Sequence, residues 1–317
     1  MITKQRGELV ELLQLHALLN RLPDTHPKKG EVLIEYKKRR RQSRGEKEIE
    51  FPLSFLDENQ YLILHDLRLK DEQGFFQIDT LIISEKFCLI LEIKNWYGSI
   101  LFGENGQVIR IGDDGREEGF PNPLPQAKLQ QYRLKRWLNK SGIMNTPLDF
   151  FIVISFPTTI LKAIPPYSIP EKVIHNNQLF PIIQELDKHY TNSIFSQQEL
   201  SNISRKLIES HQQYEKSVLE KYNVLKCDIL KGVICPGCGE LPMIRHKQKW
   251  QCPHCKHTSI DAHEAALLDY KYLINHSITN QDARSFLYIT SSHVTKRILQ
   301  MSGYKQMGRN KGSIYML

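Results

Sequence analysis

The hydrophobic positions change rhythm several times along the chain. Near the start, Leu9, Leu12, Leu13, Leu19 and Leu22 recur close to helical spacing, and Pro23 and Pro27 stop the pattern. A new helix is expected through Gly45, Glu46, Ile49 and Leu53 to about Leu56, with Pro52 placed to kink it or end it early. Strand-like stretches follow at 61–67, 75–84 and 87–94, separated by the turns KDEQG and SEK. Leu81, Ile82, Ile83, Leu89, Ile90, Leu91 and Ile93 form near-continuous apolar runs, the pattern of strands buried on both faces. Residues 99–119 contain several glycines and read as weakly stranded. A helix is expected from about Leu124 to near Gly142, a buried strand over 148–156, a last strand near Val173 and a helix over 177–187. Residues 196–222 read as a polar helical spacer. Helix, three strands, helix, strand is the order of an α/β core with a mixed sheet.

Composition narrows the class. The chain has 317 residues, of which 40% are hydrophobic, enough for a real core and for two or three domains. No apolar run approaches the ~20 residues of a membrane helix. Charged residues fall within the first eleven positions and there is no uninterrupted apolar h-region, so no signal peptide is visible and a cytoplasmic, membrane-free protein is expected. In that setting six cysteines, four of them within 235–255, point to metal rather than disulfides.

The net charge of +8 is unevenly placed. Residues 227–317 carry 12 Lys and Arg against 6 Asp and Glu, and residues 1–226 carry 31 against 29. From Val294 onward Lys296, Arg297, Lys305, Arg309 and Lys311 occur with no acid. Such a segment suits a polyanionic partner, because cations that neutralise phosphates release counterions; a solvated basic tail is the other reading. A second cluster, from Lys37 to Arg44, contains Lys38, Arg39 and Arg40. It suits either nucleic acid or a solvated helix face.

Asp79, Glu92 and Lys94 carry the most specific chemistry. Glu92 and Lys94 are two apart, so on a strand they share a face while Ile93 points to the other. Antiparallel pairing about the turn at 84–86 brings Asp79 beside Glu92. Charges in such an apolar strand need partners. Two carboxylates and a lysine suit Mg²⁺ or Mn²⁺, hard cations that take one or two carboxylates and complete their shell with water and phosphate. Spacing alone equally suits a strand-end salt bridge from Lys94 to Asp79 or Glu92. Trp96 is read as packing the strand end.

Four pieces in order, GE at 45–46, QID at 77–79, EIKNWYG at 92–98 and NPLPQ at 122–126, make residues 42–160 resemble a NERD domain. NERD is the nuclease-related branch of the PD-(D/E)XK restriction-endonuclease-like superfamily. The resemblance implies a four-stranded mixed sheet flanked by helices and metal-dependent phosphodiester hydrolysis. It also implies Asp79 and Glu92 as metal ligands and Lys94 as the catalytic lysine. Glu46 and Gln126 would be supporting polar residues in the catalytic set, and Gln77 a weaker one.

Cys235, Cys238, Cys252 and Cys255 form two C-x₂-C pairs thirteen residues apart, the pattern of a zinc ribbon with a closed, structural Zn²⁺ site. His246, His254 and His257 are read as exposed, Cys88 as core and Cys227 as unpaired. Arg245, Lys247 and Lys249, beside Trp250, suit contact with a single strand of nucleic acid; a soluble hairpin is the alternative. Beyond the ribbon, Thr279 is placed to cap a helix with Ala283, Phe286 and Leu287 on its apolar face. Thr290 or Ser291 is placed to cap a second helix with Val294, Ile298 and Leu299 inward. That leaves His293, Lys296 and Arg297 outward as a recognition helix would carry them, with Arg309 and Lys311 in a turn before a last strand. A protein-binding helical pair is the alternative.

The expected division is a helical leader (1–40), a nuclease-like domain (41–190), a helical spacer (191–226), a zinc ribbon (227–262) and a winged-helix-like module (263–317). The expected activity is divalent-metal-dependent cleavage of nucleic acid, the helix-turn-helix pattern favouring DNA over RNA. The alternatives are a non-catalytic DNA-binding or regulatory protein and an interaction scaffold.

Overall fold

A computed structural model describes residues 1–6, 10–103, 107–112, 114–213, 217–308 and 312–317. The chain divides into two compact units. One is Met1–Gly7 with Arg40–Tyr214, and the other is Glu8–Arg39 with Glu215–Leu317.

The chain opens with a strand, β1 (Ile2–Lys4), then helices α1 (Val10–Arg21), α2 (Lys29–Glu48) and the short α3 (Glu50–Leu53). Two expectations change here. Residues 1–40 are not all helix, because β1 joins a sheet. The basic run from Lys37 and the pair Gly45–Glu46 lie in one helix, α2, rather than on either side of a boundary. Gly45 does not break it, because the glycine is used for close approach: a Cβ there would sit 2.6 Å from the Asn95 side chain. Pro52 falls inside α3, whose first turn has no amide bond to lose.

In the first unit, β2 (Leu62–Asp71), β3 (Gly74–Ile83) and β4 (Cys88–Lys94) form an antiparallel run, with Leu62 opposite Ile83 and Ile83 opposite Cys88. The strands β5 (Ser99–Phe102), β6 (Gln107–Ile111) and β7 (Glu117–Pro121) come next, then α4 (Pro123–Lys140). The strands β8 (Leu148–Ile154), β9 (Ile160–Ala163) and β10 (Val173–His175) and the helices α5 (Leu179–His189) and α6 (Gln197–Ser210) complete the unit.

The main sheet has the order β1-β2-β3-β4-β8-β10, six strands where the resemblance implied four. The additions are at its edges. β1 pairs parallel with β2, and β10 parallel with β8. One face packs against α4 and α6 through Ala127, Leu134, Leu138, Leu200, Ile203 and Leu207. The other packs against α3 and α5 through Leu53, Leu179 and Ile183. Burial on both faces is what the apolar runs required, at about 1.5–3 kcal/mol for each Leu, Ile or Val withdrawn from water. The stretch read as weakly stranded builds a second sheet, β7-β6-β5-β9. The stretch read as a polar spacer is in part core. α6 starts with a Ser196–Glu199 capping box and buries Leu200, Ile203 and Leu207, spaced three and four apart.

In the second unit, α1 packs against α8 (Ala262–Leu273), with the short α7 (Val218–Tyr222) between them in sequence. The cysteine module forms a small antiparallel sheet, β11 (Ile244–His246), β12 (Lys249–Gln251) and β13 (Thr258–Ser259). The last residues form β14 (Ser277–Thr279), α9 (Asn280–Leu287), α10 (Ser292–Met301), β15 (Lys305–Met307) and β16 (Ile314–Met316), with the sheet ordered β14-β16-β15. One buried cluster runs through Leu15, Leu18, Trp250, Leu267, Phe286 and Leu299, so the leader helix, the cysteine module and the terminal helices share a core. Arg21 joins them. Its Nε donates to Asp269 at 2.7 Å and its Nη1 to the Gly232 carbonyl at 2.6 Å.

Candidate active site and metal centres

β3 and β4 aim the carboxylates at one another. Their ladder ends at the Thr80–Leu91 pair. The next free amide, Ile93 N–H, donates instead to Asp79 Oδ2 at 2.9 Å, so Asp79 caps the ladder with its side chain. On β4, Leu89, Leu91 and Ile93 face α3 and α5, and Ile90 faces α4. Alternation then turns Glu92 and Lys94 toward α4. That helix starts at Asn122, whose Oδ1 accepts from Leu124 N–H at 3.0 Å, with Pro123 at its first position. Its first turn carries Gln126. Lys94 Nζ donates to Glu92 Oε1 at 2.7 Å and to Gln126 Oε1 at 3.2 Å. Gly98 closes the segment at φ +79°, where a Cβ would collide with the Ile111 carbonyl.

Asp79, Glu92, Lys94 and Gln126 thus lie together. Glu46, on α2, is buried and close enough to Asp79 to oppose its ionisation. Burial, then Glu92, raise the Asp79 carboxyl well above its ordinary value; the Ile93 amide and Lys94 pull the other way and Glu46 adds to the rise. Glu92 is 3% exposed, and among the described residues its Oε2 is buried without a hydrogen-bond partner. A carboxylate oxygen taken out of water and left unmatched costs free energy, and a hard cation is the partner that chemistry fits. Gln77 is exposed opposite Arg68 and stands apart from this group. Trp96 is buried and packs near Phe120, at 6.1 Å between ring centroids.

Sequence reading missed a polar group behind Asp79. Arg6 Nη1 lies 3.0 Å from Asp66 Oδ1 and 3.5 Å from Glu46 Oε2, and its Nη2 lies 3.1 Å from His65 Nδ1 and 3.3 Å from Thr80 Oγ1. Gln42 Nε2 donates to Glu46 Oε1 at 2.9 Å. The available signal was the one that marks Glu92: His65 and Asp66 interrupt an apolar strand.

The second centre is in the other unit. The sulfurs of Cys235, Cys238, Cys252 and Cys255 lie within 4.8 Å of one another and could hold a metal ion; among the described residues they are the group of three or more such ligands drawn this close. Gly237 N–H points at Cys235 Sγ at 3.4 Å and Cys255 N–H at Cys252 Sγ at 3.5 Å, as the tight turns of metal knuckles do. Four thiolates suit a closed, tetrahedral Zn²⁺ site. His246, His254 and His257 are exposed, Cys88 is buried and Cys227 is exposed.

The basic residues fare differently. Lys38 and Arg40 are exposed. Arg39 is half-buried and ion-paired with Glu11 and Glu35 at 3.1 and 3.0 Å, which spends its charge within the protein. His293, Lys296 and Arg297 are exposed on α10, while Thr295, Ile298 and Leu299 are buried. Lys247 and Lys249 are exposed on the β11–β12 hairpin. Arg245 is half-buried over Trp250, at 5.1 Å, and burial, then the nearby Arg297, lower its guanidinium. Trp250 is not available to stack on a base, contrary to expectation. It is fully buried, stacked on His263 and bonded to His263 Nδ1 at 3.1 Å. Arg309 and Lys311 lie outside the described residues. Among the described residues no helix is long and apolar enough to cross a membrane.

Comparison with known proteins bears on the first unit. Residues 41–155 match the NERD family, nuclease-related domain. An uncharacterized protein of Bacillus anthracis, pXO1-01/BXA0003/GBAA_pXO1_0003, is 26% identical over 168 residues, covering 53% of this chain and 75% of that protein. The crystal structure of protein VC1899 from Vibrio cholerae aligns at a TM-score of 0.24 and 12% identity, covering 59% of this chain and 58% of that one, a likeness too slight to bear on the fold.

Proposed function

We propose that the chain is a divalent-metal-dependent nuclease that hydrolyses phosphodiester bonds of DNA. One observation carries the reading: the buried, unmatched Oε2 of Glu92, beside Asp79 and within the reach of Lys94. The match of residues 41–155 to a nuclease-related family supports it. Asp79 and Glu92 would hold Mg²⁺ or Mn²⁺, and when bound the cation would lower the pKa of water and stabilise charge on the scissile phosphate. Lys94, held by Glu92 and Gln126, orients the attacking water and offsets charge that builds on the phosphate. Glu46 and Gln126 support this arrangement without touching the reacting atoms.

In the second unit, the four cysteines would hold structural Zn²⁺. The terminal segment would act as a winged-helix-like module that holds DNA through His293, Lys296 and Arg297. Lys247 and Lys249 on the ribbon would add phosphate contacts. The exposure of these cations supports the reading. A protein that makes several phosphate contacts should bind DNA with an affinity that falls steeply with salt.

The test is cleavage of plasmid and single-stranded DNA in Mg²⁺ or Mn²⁺ by wild type, Asp79→Ala and Lys94→Ala. Cleavage should fall at least about a hundredfold in both variants. Persistence of cleavage in both would sink the site. Salt-sensitive binding without cleavage by wild type would favour a DNA-binding protein that keeps the nuclease fold.

A further inference from the structure

Arg6 lies outside the stretch that matches the nuclease-related family, yet its guanidinium sits at the centre of the scaffold behind Asp79. Its side chain is 6% exposed and reaches four elements of its unit: Glu46 on α2, Glu50 on α3 at 3.7 Å, His65 and Asp66 on β2, and Thr80 on β3. Thr80 is the chain neighbour of Asp79, and His65 is its partner across the ladder.

This is also where the strands lose their alternation. On β3, Leu81 and Ile83 belong to the core beneath α4, and so do Phe76 and Ile78, although an even number of residues should separate positions on one face. On β2, Leu64 and Leu67 share that core across the same break. The break therefore falls at His65–Asp66 and Asp79–Thr80. Asp66 takes it up with φ +51°, a left-handed conformation uncommon for a residue with a Cβ. A kink of this kind persists where its surroundings over-determine it. Arg6 supplies that constraint: one guanidinium nitrogen binds the Asp66 and Glu46 carboxylates, and another binds the His65 ring and the Thr80 hydroxyl. The His65 ring can accept, since burial, then Arg6 and Lys4, hold its pKa down to about 3.

We propose that Arg6 is a positioning residue of the metal site: its fork fixes the kink that aims Asp79 toward Glu92 and fixes the orientation of Glu46. The proposal rests on the reading of Asp79 and Glu92 as metal ligands. It implies that the match at 41–155 is not the whole site, and that the segment before α1 completes it. The fork matters as well as the charge. A lysine ammonium is a single point and cannot serve the acids and the His65–Thr80 pair from separate nitrogens.

The experiment measures Mn²⁺ affinity of the full chain by titration calorimetry and electron paramagnetic resonance, well below the melting temperature, for wild type, Asp79→Asn, Arg6→Met and Arg6→Lys. The four cysteines are first filled with Zn²⁺. Outer partners of metal ligands typically contribute about 10–100-fold in affinity, and Arg6→Met should lose that much. Arg6→Lys, which keeps the charge, should recover only part. A merely structural role would lower the melting temperature of Arg6→Met and leave Mn²⁺ affinity unchanged. Wild type that binds Mn²⁺ through Asp79, with Arg6→Lys and any folded Arg6→Met binding as tightly, overturns this proposal alone. Wild type that binds no Mn²⁺ overturns both it and the metal-site reading.

Discussion

Each unit buries a carboxylate, and the two are treated in opposite ways. Asp269 is 8% exposed and is matched to Arg21, which is fully buried and also donates to the carbonyls of Leu230 and Gly232. Burial raises the Asp269 carboxyl and lowers the Arg21 guanidinium, so each partner resists its charge, and the Nε–Oδ2 contact and the two carbonyl bonds offset that cost. Glu92 is 3% exposed, shares one oxygen with Lys94 and leaves the other buried with no hydrogen-bond partner among the described residues. The same contrast separates the two metal candidates. The cysteine set is closed, with four ligands supplied by two short turns. The carboxylate set is smaller, with two candidate ligands from neighbouring strands, so any cation there would complete its shell with other groups. A carboxylate paired with a buried guanidinium reads as architecture, and one that leaves an oxygen buried and unmatched reads as a place for something to bind.

The largest way to break the comparison is at the cysteines. If the closed set is architecture, Cys235→Ser should abolish stoichiometric Zn²⁺ and remove folding free energy on the order of 10 kcal/mol from the second unit. Hydrogen exchange should then show protection lost over α8, α9 and α10 and kept over β2, β3 and β4. Unchanged protection in α8–α10 would show that the cysteines are dispensable for the fold.

The buried carboxylates give a sharper and smaller test. Asp269→Ala leaves Arg21 buried and unpaired and should destabilise the second unit by about 3–5 kcal/mol. Glu92→Gln keeps an acceptor for Lys94 and removes an unmatched charge, so its effect on stability should stay within about 1 kcal/mol, while Mn²⁺ binding is lost. Denaturant melts followed by probes in each unit measure both. Equal losses at the two positions would end the distinction between them.

Much of this contrast is legible in the sequence, because its parts are local along the chain. Four cysteines within 235–255 fix their own meeting. A tight turn after Ile83 sets the register that brings Asp79 to Glu92, and strand alternation puts Glu92 and Lys94 on one side. What stayed hidden depends on contacts far along the chain or on a choice of face. Arg6 meets partners 40 to 74 residues away, from just beyond a strand too short to show a pattern. Trp250 sits on a three-residue strand, and nothing in the hairpin says that its ring turns toward His263. The helix Gln197–Ser210 carried its signal in Leu200, Ile203 and Leu207, outweighed by the polar residues between them. Gly45 looked like a start and is a contact, since its role depends on Asn95.

The smallest expected effect concerns Asp79. Its carboxyl sits well above the ordinary value because burial, then Glu92, disfavour its charge more than the Ile93 amide and Lys94 favour it. A group raised on folding holds its proton more tightly folded than unfolded. Without divalent metal, its contribution to stability is therefore present at low pH and lost as pH rises from the ordinary carboxylate range through the raised value. Asn is neutral throughout and keeps an oxygen to accept from Ile93 N–H. Asp79→Asn should then melt above wild type near neutral pH, and the gap should close as pH falls toward about 4, where both side chains are uncharged in the folded state. Added Mg²⁺ or Mn²⁺ should close it from the other side, by stabilising wild type and leaving the variant unmoved. Melts across pH with and without metal measure this. A gap that ignores pH would mean that Asp79 is ionised and matched in the folded protein, and the half-matched charge of the first unit would then rest on Glu92 alone.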